Sequence, residues 1–94
     1  MDEDSLSTDE LREIRARVDA ATPGPWESFV EGRDHTSGAD FIRTGGLRDD
    51  CPDLYVQHES RPAPTHDLDF IAHARQDIPR LIAEVERLRS KLGE

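Results

Sequence analysis

With 94 residues the chain has room for one small domain and too little length for a two-domain enzyme with an interdomain cleft. Its 21 Asp and Glu against 12 Lys and Arg give a formal charge of −9, which disfavours binding to a phosphate backbone by counterion release, so no direct nucleic-acid contact is expected. Only 34% of residues are hydrophobic and 35% are charged, so a monomer buries a modest core and a homo-oligomer is expected to extend it.

The acidic start, Met1-Asp2-Glu3-Asp4, leads into no apolar run, and residues 1–6 are expected to be disordered ahead of the domain. Leu11, Ile14, Val18 and Ala21 then recur at helical spacing, which predicts a helix over 7–21. Ser7 and Glu10 form a capping box at its start, and Leu6 and Leu11 are spaced for a hydrophobic staple. Thr22-Pro23-Gly24-Pro25 ends the helix, because Pro23 biases Thr22 away from helical angles and neither proline can donate to a continuing ladder.

From Trp26 to Gln57 the period changes to that of strands. Trp26, Ser28 and Val30 alternate with Glu27, Phe29 and Glu31, and Leu54-Tyr55-Val56-Gln57 is rich in strand formers. Two or three short antiparallel strands are predicted at 26–31, 40–44 and 54–58, separated by the polar, Gly-containing stretches 32–38 and 45–52. So small a sheet needs a helix packed on one face.

Arg61-Pro62-Ala63-Pro64 reads as a stiff, extended connector, with Thr65 and Asp67 as alternative N-caps of a following helix. Leu68, Phe70, Ile71 and Ala74 continue at helical spacing. Pro79 interrupts the run, and Asp77 ahead of it resembles a new cap, which predicts two C-terminal helices meeting at a kink near Gln76 and Asp77. The last of them, over 78–92, carries Ile78, Leu81, Val85, Leu88 and Leu92 as a short coiled-coil seam, the expected oligomer interface. The expected whole is a single α+β domain over 1–94: an N-terminal helix, a two- or three-stranded antiparallel sheet and two C-terminal helices.

The densest set of metal-ligand types is His58, His66, Asp67, Asp69 and His73, in which Asp69 and His73 share a helix face. Against a zinc or iron enzyme built on His58, His66, Asp69 and His73 stand the absence of any HExxH pattern and the suitability of His66 and Asp67 for a helix start. No metal and no cofactor are therefore expected. The single Cys51 excludes an internal disulfide and any Cys-based zinc site, which suits a reducing, cytoplasmic setting, and no run approaches the roughly 18 apolar residues of a membrane span. Cys51 has no identifiable base partner, Gly45-Gly46 lacks the Lys and Ser/Thr of a phosphate loop, and no catalytic residues are assigned. Trp26, the only Trp, reads either as the central core residue or as a platform beside the proline segment; with His73 and Arg75 it forms the candidate ligand site, the ring for stacking and the Arg for an anion.

Ala20-Ala21-Thr22-Pro23-Gly24-Pro25-Trp26 at the front, together with Asp69-Phe70-Ile71-Ala72-His73-Ala74-Arg75-Gln76-Asp77-Ile78-Pro79 and Leu81-Ile82-Ala83-Glu84-Val85-Glu86-Arg87-Leu88-Arg89 at the back, resembles the Ead-like phage early proteins and their small relatives in actinobacteriophages and prophages. The resemblance covers about half of the chain and leaves 27–68 unmatched. It implies a mobile-element accessory protein, of a kind often found among genes that counter host defence, and it carries over no catalytic residue. The expected function is then non-enzymatic: stoichiometric capture of a small anionic, nucleotide-like ligand or of a host protein. An acidic surface that imitates nucleic acid and blocks a basic host protein is one alternative, suggested by the −9 charge, and a metal-dependent enzyme using His58, His66, Asp69 and His73 is the other.

Overall fold

The computed structural model describes residues 5–46, 48, 50–59 and 61–93. Helix α1 runs from Thr8 to Ala20 with Ser7 as its cap. The capping box forms as the local sequence dictates: the Glu10 amide donates to Ser7 Oγ at 3.0 Å and the Ser7 amide donates to Glu10 Oε1 at 2.8 Å.

After the proline turn, strand β1 (Glu27–Phe29) pairs antiparallel with β2 (Phe41–Arg43), in the register Glu27 to Arg43, Ser28 to Ile42 and Phe29 to Phe41. This register sorts the two faces of the hairpin. Ser28 and the fully buried Ile42 turn toward the helix side. On the other face Phe29 stacks on Phe41 with ring centroids 5.2 Å apart, Tyr55 leans on Phe41 at 5.9 Å, and the Arg43 guanidinium lies 4.7 Å over Phe29. Two of the predicted strands are thus present in shortened form.

The predicted third strand over 54–58 is a correction. It is reduced to a bridge in which Leu54 and Ile42 exchange both backbone hydrogen bonds at 2.8 Å, and Gln57–His58 (β3) pairs instead with Arg61–Pro62 (β4) in a separate two-residue hairpin. Pro52 and Pro62 offer no N–H to a longer ladder, and the Pro52 carbonyl is taken by the Thr44 hydroxyl at 2.8 Å. The connector 61–64 is extended, with the Ala63 amide bonded to the Val56 carbonyl.

The pair of C-terminal helices is also a correction. One 29-residue helix, α2, runs from Thr65 to Gly93 with Pro79 inside it, and Asp77 caps nothing. Proline there forgoes the bond to the Arg75 carbonyl and costs about 3 kcal/mol in an isolated helix. Packing on both sides of the interruption outweighs that cost. The hairpin lies against the first half of α2, where Val30, Ile42, Ala63, Leu68 and Ala72 form the core with Trp26, Val56 and Ile71 around it. Helix α1 lies antiparallel along the second half: Arg15 pairs with Glu86, the Arg89 guanidinium donates to the Leu6 carbonyl, and Leu11 and Ile82 are the buried residues of these stretches. Leu6 is thereby placed, whereas the expectation of disorder at 1–4 lies outside the described residues. The mixed α+β class is as the periodicity indicates.

A continuous α2 predicts that Pro79→Ala raises stability by about 1–3 kcal/mol in urea unfolding and increases helical circular dichroism. Two helices meeting at Asp77 would give no gain.

Candidate functional site

The segment Thr22 to Trp26 leaves α1 and is held by α2 from the far end of the sequence. Gln76 clasps the backbone of Trp26 with both ends of its amide: Oε1 accepts from the Trp26 N–H at 2.8 Å, and Nε2 donates to the Trp26 carbonyl at 3.0 Å. The Thr22 carbonyl accepts from Arg75 Nε at 2.9 Å and from the indole Nε1 of Trp26 at 3.1 Å. The Gly24–Pro25 peptide bond is cis. On its other side the turn is met by Gly45 and Gly46, whose amides donate to the Pro23 and Pro25 carbonyls at 2.8 and 3.1 Å. Both glycines have positive φ, 76° and 62°; a Cβ on Gly45 would stand 2.4 Å from Cys51 Sγ, and one on Gly46 would stand 3.2 Å from the Gly24 carbonyl oxygen. The glycine pair therefore seats the proline turn.

This clasp sets the half-buried indole at one end of an open cleft of about 260 Å³ between α1 and α2. Ile14 and Val18 line it from α1, and Ile71, Ala74 and Ile78 from α2, in each case because residues three and four apart share a helix face. Two cations reach the same cleft, Arg17 and Arg75. Arg75 spends Nε on Thr22, and Arg17 makes no side-chain hydrogen bond or ion pair among the described residues. Arg12, Arg15, Arg33, Arg48 and Arg87 each have a carboxylate partner, whereas Arg17, like Arg43, Arg61, Arg75, Arg80 and Arg89, has none among the described residues. A larger hollow of about 440 Å³, between the start of α1 and the end of α2, is by contrast flanked by the satisfied Arg15–Glu86 pair.

Of the sequence-derived ligand residues, Trp26 and Arg75 meet in the cleft and His73 does not line it. His73 lies exposed on α2, one turn on from Asp69. Arg17 was not singled out by the sequence, since a lone Arg in the last turn of an amphipathic helix reads as a solvated charge; no local signal marks it. The residues of the conceivable metal cluster are not brought together: among the described residues no three of His, Cys, Asp and Glu converge. His58 lies 3.4 Å from Asp67, and Asp69 faces Arg33 and Ser28. The seam residues Ile78, Leu81, Leu88 and Leu92 are exposed and Val85 is half-buried.

Asp69 ties β1 and the loop after it to α2. Arg33 donates to both of its oxygens, at 2.9 and 3.0 Å, and the Ser28 hydroxyl donates to one of them. These bonds, Arg33 first, hold the carboxyl down at about 2 from its ordinary 3.8. A carboxylate with a depressed pKa adds stability that is complete above its unfolded value and lost as pH falls through the folded one. Stability should therefore fall between pH 3.8 and about 2, and acid titration of Asp69→Asn should show a lower plateau near neutrality and a shallower fall across that window. An unchanged acid limb would remove this role from Asp69.

No family model, no curated protein and no solved structure matches this chain. Among the described residues no helix is long and apolar enough to cross a membrane.

Proposed function

We infer that the protein is a non-enzymatic binding protein whose cleft takes a small anion with a flat apolar body, a nucleotide-like ligand. The observation that carries this reading is the convergence of Arg17 and Arg75 on an apolar cleft beside the only Trp. An apolar wall with a few convergent polar groups is the usual make-up of a small-molecule site, and guanidinium groups suit carboxylate and phosphate. The lining offers no carboxylate, His, Ser or Cys among the described residues, so its chemistry is that of holding a ligand. Stoichiometric capture in the cytoplasm of a bacterial host, in the service of a phage or prophage and against a host defence, is the setting that the resemblance suggests for such a site.

Trp26 makes the test direct, because its fluorescence has no other indole to compete with it. Titration with a panel of ribonucleoside monophosphates and aryl carboxylates should give a saturable change for at least one of them. Arg17→Ala should then weaken binding by about tenfold or more, the usual scale for a charge-assisted contact, while thermal stability stays unchanged. No change in fluorescence and no heat of binding for any ligand in the panel would overturn the reading. Binding to a basic host protein that survives Arg17→Ala but fades steeply with salt would favour the acidic mimic instead.

A further inference from the structure

Helix α2 presents three sides. Asp69, Ala72 and Gln76 face the hairpin and the proline turn, and Ile82, Glu86 and Arg89 face α1. A third side, with Leu81, Val85, Leu88 and Leu92 at intervals of three and four, faces neither, and Ala74 and Ile78 continue it at the edge of the cleft. Leu81, Leu88 and Leu92 are 63%, 46% and 87% exposed. Single exposed leucines are ordinary, but a row along one helix is a surface awaiting a partner. Asp77, Glu84 and Lys91 run beside the row at intervals of seven. Glu84 is already bonded to Arg87, whereas Asp77 and Lys91 have no ion-pair partner among the described residues.

We propose that this row binds a second copy of the chain, the two α2 helices packing antiparallel about a twofold axis. Charge selects both the occupant and the orientation. A register that sets Leu81 against Val85 of the second copy also sets Ile78 against Leu88 and Ala74 against Leu92, and it brings Asp77 beside Lys91 on both sides of the axis. Each apolar residue of the row then meets an apolar partner, Asp77 and Lys91 neutralise each other across the two copies, and Glu84, which meets its own copy at the axis, is held by Arg87. In a parallel, in-register pairing Asp77 and Lys91 would stand about 21 Å apart along the axis and could not reach each other. The hairpin packs on the opposite side of α2 and leaves the approach open, so the two α1–α2 pairs form a four-helix bundle. A strip one helix wide falls near or below the roughly 1,200 Å² of a standard interface, so association depends on concentration.

Sedimentation equilibrium of the full chain over a wide concentration range should approach twice the chain mass. Leu88→Asp should remain monomeric with an unchanged circular dichroism spectrum, because Leu88 is exposed within one copy. Orientation is read by mild oxidation of mixed Asp77→Cys and Lys91→Cys chains in a Cys51→Ser background, where the mixed cross-link should exceed either self-link several-fold. A wild-type chain that stays monomeric would overturn the proposal and leave the row to a partner of another kind. A dimer that survives Leu88→Asp, or cross-links dominated by either variant with itself, would overturn it as well. The row shares Ala74 and Ile78 with the wall of the cleft, but each readout is taken on ligand-free protein and so fails or succeeds apart from ligand binding.

Discussion

The amide of Gln76 holds the backbone of Trp26 at both its donor and its acceptor, and the rest of the candidate site depends on that contact. A segment with two prolines and a glycine has no ladder of its own, and its buried carbonyls and amides must find partners elsewhere. Gln76, Arg75 and the Gly45–Gly46 pair supply them. Because Gln76 and Arg75 are neighbours on one helix, the same few ångströms of α2 fix the turn, orient the indole and aim a cation into the cleft. An apolar residue at 76 would leave two half-buried backbone groups unpaired, a cost of about 1–3 kcal/mol each.

Helix α2 acts as a spine with a different duty on each side: core against the hairpin, clamp against α1, and a bare leucine row. This division explains how it survives Pro79. Local rules favour a break at Asp77, yet a break would separate the half that carries Leu68 and Ala72 from the half that carries Ile82, and both halves are held by packing that a straight helix satisfies. The elongated outline, 53 × 29 × 20 Å, follows from a helix of this length on a chain of this size.

What was legible in the sequence was local. Ser7 and Glu10 announce α1 because both partners of the capping box lie within one turn, and the alternation around Ser28 and Val30 announces a strand because its period is two. The clasp was not legible, since Gln76 and Trp26 stand 50 residues apart and a Gln in a helix carries no mark of its acceptor. The third strand is cut short by prolines that the sequence does show, but its new pairing is visible only in three dimensions: Leu54 keeps both bonds to Ile42, and the chain then turns away to pair Gln57 and His58 with Arg61 and Pro62. Trp26 and Arg75 line one cleft and His73 does not, because a helix turns a residue two positions away to a different side.

The central claim is that the proline turn is fastened to α2 through Gln76. Amide hydrogen exchange of Trp26 measures it directly. The clasp requires this amide to be protected in the native protein to a degree comparable with core amides such as Ile42, and requires Gln76→Ala to release the Trp26 amide while Ile42 stays protected. A Trp26 amide that exchanges at the rate of an unstructured peptide in the unaltered protein, or one that keeps its protection in Gln76→Ala, would contradict it.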